Sequence, residues 1–467
     1  MNVDILTAEV IQSALVSVCK EMSLIVRNSA YSRVLNEGKD FSCAILDARG
    51  QLVGIASDSP GHIFPLRWST AAILEKFGGS IEPGDIFVVN DPDSGGTHLN
   101  DVAMLAPVFL DSRLCMFSCV RAHWADIGGM VPGSLSGRAT EIFQEGLRIP
   151  PVRTRRAGQD VPDVLDLIFG NVRQSDERRG DFAAMVSGCQ LGIRRVKGLL
   201  AEHGVEMFDA ALAYLMERAE RRMRMAIREK VRPGSYYHEE YLDSAGAVAD
   251  PVPICVRVDS TENGLEIDFA GTAPMVAGPV NCTLAVTNAA AFVAIKSLVD
   301  PESPVNQGAF SLLSVKAPEG LVVSAVAPAA CGGYSEVKAR IQSTIMGALA
   351  RGMIGDVAGD HKGTANHFII SGGSGSDMTL LYEFPAGGSG GTADTDGPSA
   401  FCSYDEGDFV SIQSIEVVEH DNPILVRSLK LRTDSGGAGR YRGGLGLERT
   451  LVPQRDGLSL SILSDRN

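Results

Sequence analysis

Between Asn90 and Ser134 the chain reads NDPDSGGTHLNDVAMLAPVFLDSRLCMFSCVRAHWADIGGMVPGS, and residues able to do chemistry concentrate there. Two apolar, strand-like runs end in short polar loops, each carrying one histidine and at least one aspartate. The first loop offers Asp91, Asp93, His98 and Asp101, and the second offers His123 and Asp126. Imidazole nitrogens and carboxylate oxygens are the donors that a divalent ion of borderline softness accepts. An isolated histidine is ordinarily a satisfied structural residue. Two histidines, each three residues before an aspartate and at the ends of neighbouring strand-like runs, point instead to a shared metal site. Gly95-Gly96 and Gly128-Gly129 sit beside them and would let the backbone pass close to whatever the side chains hold. The spacing is not that of a compact HExxH helix.

Other chemistries lack their signatures. There is no GxxxxGK[ST] loop to cradle a nucleotide phosphate, and GKD at Gly38 and HKGT at His361 do not replace it. GAGRYRGGLG approaches a dinucleotide fingerprint, but its third glycine is out of register and no βαβ unit follows, so tight turns between strands are the better reading. No GxSxG elbow presents a nucleophilic serine. Of nine cysteines only Cys115 and Cys119 are closely spaced, and they lie in an apolar run, where a buried strand is expected rather than a zinc clip.

The composition bounds the rest. With 57 acidic and 42 basic residues the net charge is −15, and no basic run offers a surface for nucleic acid. No window reaches the roughly 18 uninterrupted apolar residues of a membrane span, and MNVDILTAEVIQ lacks the basic start and apolar core of a signal peptide. Scattered cysteines suit a reducing compartment. The expectation is a soluble, cytoplasmic protein. Its 467 residues exceed one ordinary core, so more than one domain is expected.

The elements that would position the loops follow from periodicity. Leu6 to about Leu35 has helical spacing, with Thr7 a candidate N-cap. CAILDARGQLVGI reads as a hairpin, with Asp40 just before its first strand. His62 follows a Pro-Gly turn, IFVVN is a strand delivering Asp91, and Pro107 to Phe117 holds a second hairpin whose outgoing strand delivers His123. Residues 141–182 read as an irregular connection, and helical spacing runs from Ala183 to about Arg232, stopped by Pro233-Gly234. Beyond it the texture changes to short strands, with a hairpin around Glu262-Asn263-Gly264, helical stretches at about 288–299 and 335–353, and a glycine-rich final hundred residues. The fold class expected is α+β: a metal-site domain of strand hairpins and helices over 1–234, packed against a β-rich, glycine-rich second domain over 235–467.

These residues, taken with DFSCAILDARGQLV, EGLRIPPVR, NVRQSDERRGDF, DFAGTAPMVAGPVN and LRTDSGGAGRYRGGLGLER, resemble the B subunit of the hydantoinase, 5-oxoprolinase and acetone carboxylase group along nearly the whole chain. The resemblance implies a metal-dependent subunit, and nitrogen and oxygen donors without thiolate are compatible with manganese, zinc or iron. It also implies a hetero-oligomer in which a hydantoinase A-type partner binds ATP and activates a carbonyl substrate. It places the metal ligands at Asp40, His98 and His123. Asp101 and Asp126 then become carboxylates that orient the histidines, alternate ligands, or proton shuttles. A two-histidine, one-carboxylate ion leaves positions for water or a substrate oxygen. The reaction implied is hydrolysis of a cyclic amide such as a hydantoin or lactam. Carboxylation of a ketone such as acetone or acetophenone at the same site is the alternative, and a non-catalytic scaffold a further one. The chain departs from many relatives at Leu66, which stands where they carry a second histidine, and at Ser403–Gln413, SYDEGDFVSIQ, which replaces their polar segment. It also reaches SDRN where they continue into a Pro/Gly-rich tail.

Overall fold

The computed structural model describes residues 4–56, 58–246, 250–353, 357–401 and 412–465. Helix α1 (Ile5–Ser29) opens the chain, capped by Asp4, whose carboxylate accepts from the Leu6 and Thr7 N–H groups. The cap therefore lies three residues before the expected Thr7, whose hydroxyl donates to Asp4 instead. The helix stops at Ser29, and the short α2 (Arg33–Asn36) completes the stretch that periodicity had run together.

A seven-stranded sheet follows, made of β1 (Phe41–Asp47), β2 (Leu52–Ile55), β3 (Ile86–Val89), β4 (Asp101–Leu110), β5 (Arg113–His123), β6 (Val152–Arg156) and β7 (Gln159–Asp160). Its spatial order is β2-β1-β5-β4-β3-β6-β7 with every pairing antiparallel. The two-residue period of a strand sorts its side chains onto two faces, and here both are covered. Val102, Met104, Ala106 and Val108 of β4 join one core with α1 and α6 (Ser175–His203). Ala103 and Leu105, with Phe117 and Cys119 of β5, join a second core under α8 (Leu284–Val299) and α9 (Tyr334–Leu349). The second core draws on residues from both sides of position 234, Phe87 and Ile254 among them.

Four further helices, α3 (Pro60–Ile63), α4 (Leu66–Phe77), α5 (Pro162–Gly170) and α7 (Val205–Lys230), fill the connections. Helix α6 begins at Ser175, inside the segment expected to be irregular. Its first turns bury Arg178 against Asp181 (3.0 Å) rather than apolar side chains, which hides the helical period. Gly204, at φ 77°, separates α6 from α7.

The remaining strands form smaller sheets. β8 (Gly234–Leu242), β9 (Val252–Thr261), β10 (Gly264–Asp268) and β11 (Leu313–Lys316) lie in the order β11-β10-β9-β8. Thr261 faces Gly264 across the expected β9–β10 hairpin. β12 (His367–Gly372) pairs with β13 (Thr379–Glu383) and with β16 (Ser459–Leu463), while β14 (Ile424–Leu431) pairs with β15 (Leu447–Pro453) beside α10 (Ile415–Asp421). The architecture is α+β, as the sequence predicts. Nearly all of the SYDEGDFVSIQ departure lies outside the described residues. Among those described, no helix is long and apolar enough to cross a membrane.

Candidate metal centre

Strand register builds the site. Asp101 is the first residue of β4 and His123 the last of β5, and they face each other directly across the hairpin. The His123 N–H donates to the Asp40 carbonyl (2.9 Å), which brings the residue before β1 onto the same line. Directly opposed residues on one sheet face bring their side chains together. All three line one cavity together with His62 of α3 and Tyr334 of α9. His98 arrives from the loop before β4, which folds so that the Asp101 N–H donates to the His98 carbonyl (3.1 Å).

Three donor atoms converge. His98 Nε2 is 3.0 Å from Asp101 Oδ1, His123 Nδ1 is 3.1 Å from the same oxygen, and the two nitrogens are 3.1 Å apart. His98 Nδ1 lies 3.2 Å from the Gly332 carbonyl. A carbonyl only accepts, so Nδ1 carries the proton and Nε2 turns its lone pair toward the other two donors. Asp101 Oδ2 is occupied separately, accepting from Thr97 Oγ1 (2.5 Å) and the Tyr334 hydroxyl (3.0 Å). The arrangement leaves lone pairs facing one another in a buried setting, which a cation between them relieves. The residues fit a divalent ion.

Around the triad lies a cavity of about 20 Å³ lined also by Asp40, His62, Lys338, His367 and Tyr382. The expected ligand Asp40 stands beside the triad rather than in it: its oxygens are 3.6 Å from His62 Nε2 and 3.8 Å from His123 Nδ1. Asp126 does not reach the cavity. Its buried carboxylate accepts from the N–H groups of Gly128 (2.8 Å), Gly133 (2.9 Å) and Arg173 (3.0 Å) and from the Arg173 guanidinium (3.1 Å). Asp91 and Asp93 are drawn away to Arg148 (2.8 and 2.7 Å). The paired glycines serve the loops themselves. A Cβ on Gly96 would lie 2.1 Å from the Asn90 carbonyl oxygen, and one on Gly129 2.7 Å from that of Gln144.

The electrostatics follow from this burial. Desolvation alone would raise the Asp101 carboxyl, but His98, His62 and His123 together hold it well below the ordinary range. Desolvation would likewise lower His62, yet the Asp101 and Asp40 carboxylates outweigh it and raise the imidazole. Burial depresses His123, and depresses His367 strongly, keeping both neutral. His123 Nε2, His62 Nδ1 and His367 Nε2 are buried with no hydrogen-bond partner among the described residues.

Five residues in or supporting the site escaped the sequence reading. Tyr334 and Lys338 are four apart on α9, a stretch read from the sequence only as helical, and Tyr382 is the last residue but one of β13. His367 opens β12 with its Nδ1 2.9 Å from the Tyr382 hydroxyl, a strand-terminal histidine like His123. Glu145, from the EGLRIPP segment, accepts from the N–H groups of Cys331 (2.9 Å) and Gly332 (2.7 Å) and so fixes the carbonyl that His98 uses.

A family model described as Hydantoinase B/oxoprolinase matches residues 4–467. An uncharacterized protein of Methanocaldococcus jannaschii is 33% identical over 99% of this chain and 81% of its own length. Caprolactamase subunit beta of Pseudomonas jessenii is 29% identical over 98% and 80%. The 5-oxoprolinase of Saccharomyces cerevisiae is 27% identical, with this chain spanning 38% of its length. Among solved structures, the ATP-dependent caprolactamase of Pseudomonas jessenii superposes with a TM-score of 0.91 at 27% identity, covering 97% of this chain and 79% of that one. A nucleotide-free acetone carboxylase shares the fold, with a TM-score of 0.88 at 19% identity over 98% of this chain and 64% of that one.

Proposed function

Because the chain belongs to the hydantoinase B/oxoprolinase family, we propose that it is the metal-bearing B-type subunit of an ATP-dependent complex that opens a cyclic amide, a lactam or hydantoin. The observation carrying this reading is the mutual approach of His98 Nε2, Asp101 Oδ1 and His123 Nδ1 to 3.0–3.1 Å. These three are the metal ligands. Asp40, expected as a ligand, becomes a neighbouring charge. A divalent ion of the manganese, iron or zinc class supplies Lewis acidity to a ring carbonyl and lowers the pKa of water.

The chain's own residues do the rest. The Gly332 carbonyl and Glu145 orient His98. Thr97 and Tyr334 hold Asp101 so that one oxygen faces the histidines. His62 Nε2, 3.6 Å from Asp40 and 3.4 Å from Asp101, holds the proton that leaves with the ring nitrogen. Lys338, buried on the cavity wall, stabilises the oxygen on which negative charge develops. Asp126 organises its loop and shuttles no proton.

ATP is bound and used by a hydantoinase A-type partner subunit. Amide opening is favoured over ketone carboxylation because caprolactamase subunit beta is similar along almost the whole chain, whereas the acetone carboxylase likeness is one of fold. Convergence of four histidines on one cavity disfavours a scaffold without catalysis.

The test is to purify the chain with an A-type partner and assay ATP-dependent opening of caprolactam, 5-oxoproline and hydantoin, with labelled bicarbonate and acetone in parallel. Ring opening that needs both subunits, and is lost in an assembled His98→Ala complex, supports the reading. Label fixed into acid-stable product moves the chain to the carboxylase reaction. Unchanged turnover in His98→Ala removes the metal centre from the mechanism.

A further inference from the structure

At about 20 Å³ the metal cavity has room for about one water. A cyclic amide therefore needs adjoining space to reach the three donor atoms, and Tyr382 stands between them and such a space. Tyr382 lines the metal cavity and also a second cavity of about 330 Å³, within the size range of small-molecule sites. The Tyr382 ring lies flat on His123, with centroids 4.6 Å apart and planes at 8°. Gln413 Nε2 donates to the Tyr382 carbonyl (3.0 Å) from behind. The glycine-rich basin lined by Lys362 and Arg432, and the groove along Trp68, share no lining residue with the metal cavity.

The second cavity also carries an unanswered polar group. Ser32 lines it at 1% exposure, and its hydroxyl has no hydrogen-bond partner among the described residues. Its backbone N–H is already given to Asp181 (2.9 Å), which fixes the residue in place. A buried hydroxyl without a partner is unfavourable, and a ligand can complete it. The charge on these walls is already matched: Arg33, the cation among the lining residues, is paired with Asp421 (2.5 Å), and Glu177 with Arg178. What remains on offer is neutral: the Gln174 amide, the Ser32 hydroxyl, and the side-chain oxygens of Gln413 and Asn422, whose NH2 groups already donate to the Tyr382 and Val418 carbonyls.

We infer that this cavity is the antechamber of the metal centre. It holds an uncharged, small cyclic amide, which hydrogen-bonds to the Ser32 hydroxyl before its carbonyl passes the Tyr382 ring. The assignment rests on the reading of His98, Asp101 and His123 as metal ligands.

The probe is 2-pyrrolidinone with the Mn²⁺-loaded chain. A bound paramagnetic ion accelerates the longitudinal relaxation of the lactam's ring protons steeply as they approach it. Met378→Trp fills the antechamber, and Ala438→Trp fills the glycine-rich basin as a control. Bound Mn²⁺ and thermal unfolding are measured on each sample. The expected result is an enhancement in the wild type that is lost in Met378→Trp, retained in Ala438→Trp and increased in Tyr382→Ala. Ser32→Ala, which adds no bulk and keeps the test open should the tryptophan variant misfold, weakens lactam binding about two- to tenfold. Mn²⁺ bound with no enhancement in the wild type, with enhancement unchanged in Met378→Trp and Ser32→Ala, or with enhancement lost in Ala438→Trp, overturns the antechamber. A wild-type chain that takes up no Mn²⁺ overturns the metal reading instead.

Discussion

In both His98-Leu99-Asn100-Asp101 and His123-Trp124-Ala125-Asp126 a histidine precedes an aspartate by three residues, with a Gly-Gly pair close by. The two segments nevertheless put their aspartates to different uses. In the first, the histidine is in the loop and the aspartate on the strand, so Asp101 is locked by register opposite His123. In the second, the histidine ends the strand and the aspartate follows in the loop, where Gly128, Gly133 and Arg173 surround it with donors. Spacing brings residue types near one another. Which of them is aimed into a cavity depends on where the strand begins and ends.

The largest effect expected from that difference is at Asp101. Asp101→Asn keeps the shape and removes the charge, and metal affinity falls by at least about 100-fold, with loss of ATP-dependent ring opening in the reconstituted complex. Asp126→Ala leaves metal stoichiometry intact. It strips four hydrogen bonds from a buried loop and lowers unfolding free energy by about 3 kcal/mol, measurable by urea denaturation of the metal-free protein. An Asp126→Ala chain that is fully stable but metal-free would reverse the two assignments.

Glu145 joins the second loop to the first. Its backbone lies against Gly129, and its carboxylate holds the Gly332 segment on which His98 leans. Glu145→Gln offers one acceptor where two N–H groups require two, so metal affinity drops about tenfold with a smaller change in stability. A pH effect accompanies it. Burial raises the Glu145 carboxyl to about 7 against the hydrogen bonds from Cys331 and Gly332. Between its ordinary value of 4.5 and about 7 the folded chain holds the proton that the unfolded chain has released. Stability therefore falls as pH rises through that window. Glu145→Gln flattens this slope by on the order of 1–3 kcal/mol between pH 4.5 and 8, read from denaturation midpoints of the metal-free forms. An unaltered slope would mean the carboxylate titrates normally.

Much of this architecture was legible in the residues. The apolar runs in CAILDARGQLVGI and AMLAPVF marked strands of the central sheet, and the residues His98, Asp101 and His123 were singled out from their types and spacing. Arg178 and Asp181, turned inward as an ion pair, broke the apolar period that would have announced the start of α6. His367, Tyr334 and Tyr382 come from segments far along the chain, and only the packing of α9 and β12–β13 over the sheet brings them to His98 and His123. No local pattern encodes that contact. Asp40 shows the reverse case, a residue carried to the site by the His123 N–H bond to its carbonyl while its carboxylate stands outside the triad.

Mn²⁺ titration of the metal-free chain followed by electron paramagnetic resonance tests the central claim most directly, because the six-line signal of free Mn²⁺ disappears as the ion is bound. Stoichiometric uptake by the wild type and by Asp126→Ala, and none by Asp101→Asn, is the predicted result. Uptake by Asp101→Asn equal to that of the wild type would contradict the assignment of the triad.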